Sequence, residues 1–237
     1  MTTYLILGAS RGVGHALARG LPEAGDEAWL VSRSLDNGDY EHEGVRYHCL
    51  AADLSAPDAP TRLTEWLGDR AIDVGIYNAG IWETNWTRAD FESIDATELK
   101  SIIDTNLLGL ILCVRAVLGN LRRAEFGKLI LIGSISGLDH EGASPVAYTA
   151  SKFGVRGVAH ALRPILRESG IPITCLNPGW IANDVPYEEG VAAALNKHDS
   201  KAIPVGDIVE MLRAVLKLSP ASCVKEIHMP ALRDESA

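Results

Sequence analysis

The chain has 237 residues, 47% hydrophobic and 22% charged, a balance that excludes a disordered or fibrous protein and has room for one large α/β domain. A formal net charge of -9 repels phosphate backbones and anionic lipid heads, so neither nucleic acid nor a membrane surface is expected as the main partner. The four cysteines, Cys49, Cys113, Cys175 and Cys223, form no C-x-x-C pair and read as buried, reduced thiols; no metal site is expected.

No basic stretch followed by an apolar core opens the chain, so no secretion signal is expected and a cytoplasmic location is the default. The most apolar run, 107–118, is broken by Arg115 and falls short of the about 20 residues that cross a bilayer. Short β-branched runs alternate with helical-period stretches along the whole sequence, the pattern of βα units feeding a parallel sheet. Strands are expected at 4–7, 28–32, 46–50, 73–77, 128–133, 173–176 and 224–228. Helices are expected at 13–23, 59–67, 96–118, 147–169, 188–197 and 205–218. The polar stretch 34–44 reads as a surface turn. The expected fold is a single α/β domain over residues 1–237, a doubly wound Rossmann-type parallel sheet of about seven strands.

The first strand runs into Gly8-Ala9-Ser10-Arg11-Gly12-Val13-Gly14 where a helix begins. Glycines there let backbone N–H groups and the helix N-terminus approach a pyrophosphate. At the end of the second strand a carboxylate would bind a ribose 2′-hydroxyl and an Arg a 2′-phosphate. The sequence has Arg33 there and no acid, with Arg11 as a second guanidinium, so NADP(H) is favoured over NAD(H).

Tyr148 and Lys152 stand four apart at the start of an expected helix, on one face. A fixed ammonium beside a phenol stabilises the phenolate and makes a group with a free pKa of about 10 usable as acid and base near neutrality. Helices 96–118 and 147–169 are apolar nearly all round, which predicts a homodimer or homotetramer built on them. Pro164 should bend the second of these or disrupt its hydrogen bonding.

Taken in order, the glycine turn, Asp53, Asn78-Ala79-Gly80, Asn106, Ser134, Tyr148-x-x-x-Lys152 and Pro178-Gly179 resemble the short-chain dehydrogenase/reductase family, in its short single-domain branch. The resemblance runs from Thr3 to about Pro230. It implies that Tyr148 is the general acid in reduction and base in oxidation, and that Lys152 lowers its pKa and bonds the nicotinamide ribose. It further implies that Ser134 holds the substrate carbonyl, and that Asn106 interrupts regular helix bonding and anchors a proton-relay water. Ser136 is a second hydroxyl nearby, but Ser134 fits the strand end better. For the cofactor, the resemblance implies contacts from Gly8, Ser10, Arg11, Gly12, Val13, Gly14, Arg33, Asp53 and Leu54. It adds Asn78, Ala79, Gly80, Tyr148, Lys152, Pro178, Gly179, Ile181 and Asn183.

Four positions depart from the family pattern: Leu7 stands for a Thr, Tyr77 for the first Asn of N-N-A-G, Gly133 for the first of two serines, and Asn183 for a Thr. Substrate selection is expected from the loops carrying Trp82, Trp86, His140, Trp180 and Tyr187, with Trp82, His140 and Trp180 as candidate contacts. The reading is an oxidoreductase that passes hydride between NADP(H) and a small ketone, aldehyde or secondary alcohol. The alternative is a non-catalytic NADP-binding sensor or scaffold of the same fold.

Overall fold

The computed structural model describes residues 1–84, 91–138 and 145–233. One eight-stranded sheet runs through it: β1 (Thr3–Leu7), β2 (Glu27–Ser32), β3 (Gly38–His42), β4 (Val45–Ala51), β5 (Val74–Tyr77), β6 (Lys128–Ile132), β7 (Ile173–Pro178) and β8 (Glu226–Met229). The spatial order is β3-β4-β2-β1-β5-β6-β7-β8, and every pairing is parallel except β3 with β4. Between β1 and β5 the order reverses, and the carboxyl ends of strands at such a switch point open a ligand crevice.

The period of two decides which side chain goes where. In β1, Tyr4 and Ile6 enter the core on the side of α1 (Gly12–Gly20) and α7 (Val205–Leu216), with Leu17, Ile208 and Leu212. Leu5 and Leu7 enter the other, against α2 (Ala59–Leu67), α4 (Gly109–Arg123) and α5 (Val146–Arg167), where Leu63, Leu110, Val117 and Val155 lie. Apolar residues on both faces are what buried parallel strands require.

The stretch expected as a surface turn holds an eighth strand, β3. All five of its residues are exposed, so it has no apolar alternation to betray it. It pairs with β4 across a two-residue turn, Glu43-Gly44, in which both residues have positive φ, 51° and 77°. That geometry matches the twist of a hairpin.

The helix expected at 96–118 is longer: α3 (Ala96–Ile103), a π-helical segment Asp104–Leu108 and α4 form one run, Ala96–Arg123, of 28 residues with mean hydropathy 1.8 over its most apolar window. By length and composition it could cross a bilayer, but Ile102, Leu110, Cys113, Val117 and Leu121 are fully buried in the body of the protein. The π segment is centred on Asn106, as the expected interruption required. The hydroxyl of Tyr77, one of the four departures, donates to the Thr105 carbonyl within that segment at 2.7 Å. α5 continues through Pro164 to Arg167 without a break. All four cysteines are thiols; Cys49, Cys113 and Cys175 are buried, whereas Cys223 is exposed because it lies in the turn before β8.

Candidate active site

A cleft of about 770 Å³ lies across the carboxyl ends of β1, β5, β6 and β7. That is an ordinary size for a cofactor and small-molecule site. At its β1 end Gly8 (φ 94°) and Gly12 (φ 53°) hold left-handed backbone that only glycine adopts without strain. A Cβ on Gly8 would fall 2.5 Å from the backbone nitrogen of Ala79, so the turn can lie directly on the end of β5. Asn78 closes that contact by donating from its side chain to the Gly8 carbonyl at 2.8 Å. Ser10 accepts a hydrogen bond from Ser32 at 2.8 Å, joining the glycine turn to the end of β2.

Arg11 and Arg33 both line the cleft and are exposed, and no protein group bonds either guanidinium among the described residues. No acid stands at the β2 end. Asp53 lines the same cleft. Partial burial works against its charge, but the N–H and hydroxyl of Ser55 and the nearby Arg33 hold its carboxyl below the usual range.

At the β6 end, α5 carries Tyr148 and Lys152 onto the cleft wall beside Ser134. The Lys152 side chain is buried; its Nζ donates to the Ile132 carbonyl at 3.0 Å and lies 5.4 Å from the Tyr148 ring centre. Ser134 accepts the Ser136 N–H at 3.1 Å, which fixes its hydroxyl oxygen at the strand end. Trp82 packs its ring edge-on to Tyr148, centroids 6.4 Å apart.

Of the residues expected from sequence, the cleft brings together Gly8, Ser10, Arg11, Gly12 and Val13 of the glycine turn, Arg33, Asp53, Leu54, Asn78, Ala79, Gly80, Ser134, Tyr148 and Lys152, with Pro178, Gly179, Ile181, Asn183 and the tryptophans 82 and 180. Gly14 and Asn106 stand behind the wall. A Cβ on Gly14 would fall 1.9 Å from the Gly8 carbonyl, so Gly14 permits the turn to fold over α1. Asn106 exchanges hydrogen bonds with the backbone of Ile81, both 2.8 Å, and donates to Ser151 at 3.0 Å. Its Oδ1 and Lys152 Nζ face a common gap above Gly80, 3.6 and 3.5 Å from where a Cβ there would sit. His140 and Trp86 lie outside the described residues.

Asp184 and His198 also line the cleft, and nothing in the sequence pattern points to them. His198 bonds Asp184 through Nε2 at 2.7 Å and meets the Trp180 ring edge-on, centroids 5.4 Å apart. Hydrogen bonds from His198 and Lys197 hold the Asp184 carboxyl below its usual range. They are joined only because the segment after β7 folds back through α6 (Gly190–Lys197), and no periodicity announces a contact of that kind.

A family model described as short chain dehydrogenase matches residues 2–190. The chain belongs to that family. Among relatives of this short chain dehydrogenase, an acetoacetyl-CoA reductase of Paracoccus denitrificans is 31% identical over 189 residues, covering 76% of this chain and 74% of the relative. A 3-oxoacyl-(acyl-carrier protein) reductase of Brucella melitensis in complex with NAD has a TM-score of 0.78 at 22% identity, covering 97% and 95% of the two chains. An alcohol dehydrogenase of the archaeon Thermococcus sibiricus, complexed with 5-hydroxy-NADP, has a TM-score of 0.76 at 24% identity, covering 99% and 98%. These two likenesses carry the fold, and the family match carries the class: an oxidoreductase that binds a nicotinamide cofactor and acts on small molecules.

Proposed function

We propose that this short chain dehydrogenase passes hydride between NADP(H) and a small ketone, aldehyde or secondary alcohol, with Tyr148 as general acid and base. The observation that carries the reading is the placement of Tyr148, Lys152 and Ser134 on one wall of the cleft, with the lysine ammonium buried and fixed beside the phenol. When bound, the nicotinamide supplies or accepts the hydride. The glycine turn, with no room for a side chain at Gly8 and a helix starting at Gly12, fits a pyrophosphate.

Asp53 and Leu54 would meet the adenine, Asn78, Ala79 and Gly80 the middle of the cofactor, and Ile181 after Pro178-Gly179 the carboxamide. Arg11 and Arg33 would take the 2′-phosphate, and the absence of a hydrogen bond between either guanidinium and any protein group among the described residues supports NADP(H) over NAD(H). Ser134 would donate to the substrate carbonyl while Tyr148 delivers or removes the proton at the same oxygen. Lys152 would stabilise the phenolate, and the gap it shares with Asn106 suits a relay of protons from solvent. Trp82 and Trp180, 60% and 52% exposed at the mouth, would wall in an apolar substrate.

The outward faces of the two long helices support a homo-oligomer, because Leu108, Ile111 and Phe153 are exposed there. Replacing Tyr148→Phe is expected to abolish NADPH oxidation by an active carbonyl substrate while leaving cofactor binding intact. Undiminished turnover would overturn the mechanism.

A further inference from the structure

We propose that Glu83 is a positioning residue that sets where Tyr148 stands in the cleft. The proposal rests on the reading of Tyr148 as proton donor and acceptor.

A helix leaves its first N–H groups without partners, and they need an acceptor. α5 offers none of its own, since the residue before it is Pro145 and its first turn has no acid. The acceptor comes from 64 residues away: Glu83 Oε1 accepts the N–H of Ala147 at 2.8 Å and reaches the N–H of Tyr148 at 3.4 Å. A carboxylate complements the positive end of the helix.

The arrangement is costly. Glu83 is 2% exposed, and its second oxygen, Oε2, is buried with no hydrogen-bond partner among the described residues. A buried polar atom left unsatisfied costs stability, so a cap chosen for stability alone would be a short side chain at the helix start. Glu83 instead links two parts of the site.

Three consecutive residues make that link. Ile81 is held by both polar atoms of Asn106, Trp82 lies edge-on to the Tyr148 ring, and Glu83 holds the first turn of α5 down to the Tyr148 backbone. Lys152, one turn further along, is anchored separately on Ile132. Loss of the Glu83 contact would therefore move the phenol relative to Ser134 and Lys152 while leaving the lysine and the glycine turn in place. Misplacement of a reacting group by about 1 Å can cost about 100-fold in rate.

The test compares Glu83→Ala and Glu83→Gln in the full chain, folded by circular dichroism, for NADPH Kd by fluorescence and for kcat and KM with an active carbonyl substrate. Glu83→Ala is expected to lose at least about tenfold in kcat with NADPH Kd within about twofold, and Glu83→Gln, whose amide oxygen can accept the same N–H groups, to stay within about threefold of the original kcat. An unchanged kcat in Glu83→Ala, a parallel loss of NADPH binding, or a Gln variant no better than Ala overturns the proposal. Should the Ala variant not fold, Glu83→Asp keeps the charge but falls one methylene short. It is expected to lose kcat with NADPH binding kept, and a full kcat overturns the proposal. A parallel Tyr148→Phe separates the two readings: turnover kept there removes the mechanism, whereas an inactive Phe variant beside a fully active Glu83→Ala removes only the positioning role.

Discussion

The side-chain carbonyl of Asn183 accepts the backbone N–H of Val13 at 3.2 Å. It packs so close to the glycine turn that a Cβ on Gly12 would stand 2.6 Å from it. That N–H lies at the start of α1, where the proposed pyrophosphate contact would fall, so a neutral oxygen from the segment after β7 occupies a donor that this contact would use. Asn183→Ala should free it. Because a neutral hydrogen bond nets about 0.5–1.5 kcal/mol, NADPH Kd is expected to fall by about 2- to 10-fold, read by fluorescence titration. A rise in Kd would show that the amide serves the bound cofactor directly.

Cofactor preference should be governed at the end of β2. Arg33→Asp replaces an exposed guanidinium on the cleft wall with a carboxylate placed to accept ribose hydroxyls. A charge-assisted hydrogen bond is worth about 1.5–3 kcal/mol, so the NADPH-to-NADH ratio of kcat/KM should drop by about tenfold or more. An unchanged ratio would mean that the phosphate is read elsewhere.

The glycine at position 133 has a local explanation. A Cβ there would fall 2.1 Å from Oδ1 of Asn177 and 3.1 Å from the Cys175 sulfur. Asn177 is fully buried, so the serine usual in the family has no space in this chain. Gly133→Ser should destabilise the protein by about 1–3 kcal/mol in urea unfolding, and Asn177→Ala in the same chain should recover most of the loss. Additive effects of the two changes would show that they do not share the space.

The outer edge of β8 predicts an acid-sensitive contribution to stability. Partial burial works to raise the Glu226 pKa, but hydrogen bonds from His228, His160 and Arg156 outweigh it and bring the group down to about 2. A carboxyl whose folded pKa is depressed stabilises the fold above its unfolded value and loses that contribution as pH falls through the folded one. Glu226→Gln should therefore cost about 1 kcal/mol at neutral pH after solvent screening. The difference from the parent chain should shrink as pH drops from about 4.5 toward about 2. A difference that stays constant over that range would assign the effect to packing.

The parallel strands β1, β2, β5, β6 and β7 were legible because each is buried on both faces and reads as a compact apolar run. The glycine turn, Ser134 and the Tyr148-Lys152 pair were legible because they lie at the ends of those strands or one helical turn apart. β3 was not, since an edge strand exposed at every residue carries no hydrophobic pattern. Nor were Glu83, Asp184 and His198, whose partners stand 64 and 14 residues away with no periodicity linking them. Gly14 and Asn106 show a different limit: their sequence positions were informative, yet they act from behind the wall, one by yielding space and the other by bonding Ile81.

The π segment around Asn106 makes chain length itself a constraint. A π turn holds one residue more than an α turn, and each residue is worth about 100° of rotation about the helix axis. A single deletion between Ile102 and Leu110 would leave a more regular helix, and by the usual local criteria a better one. It would also swing Ile102 and all of α3 about a quarter turn out of the core, so in this stretch the better helix would make the worse protein.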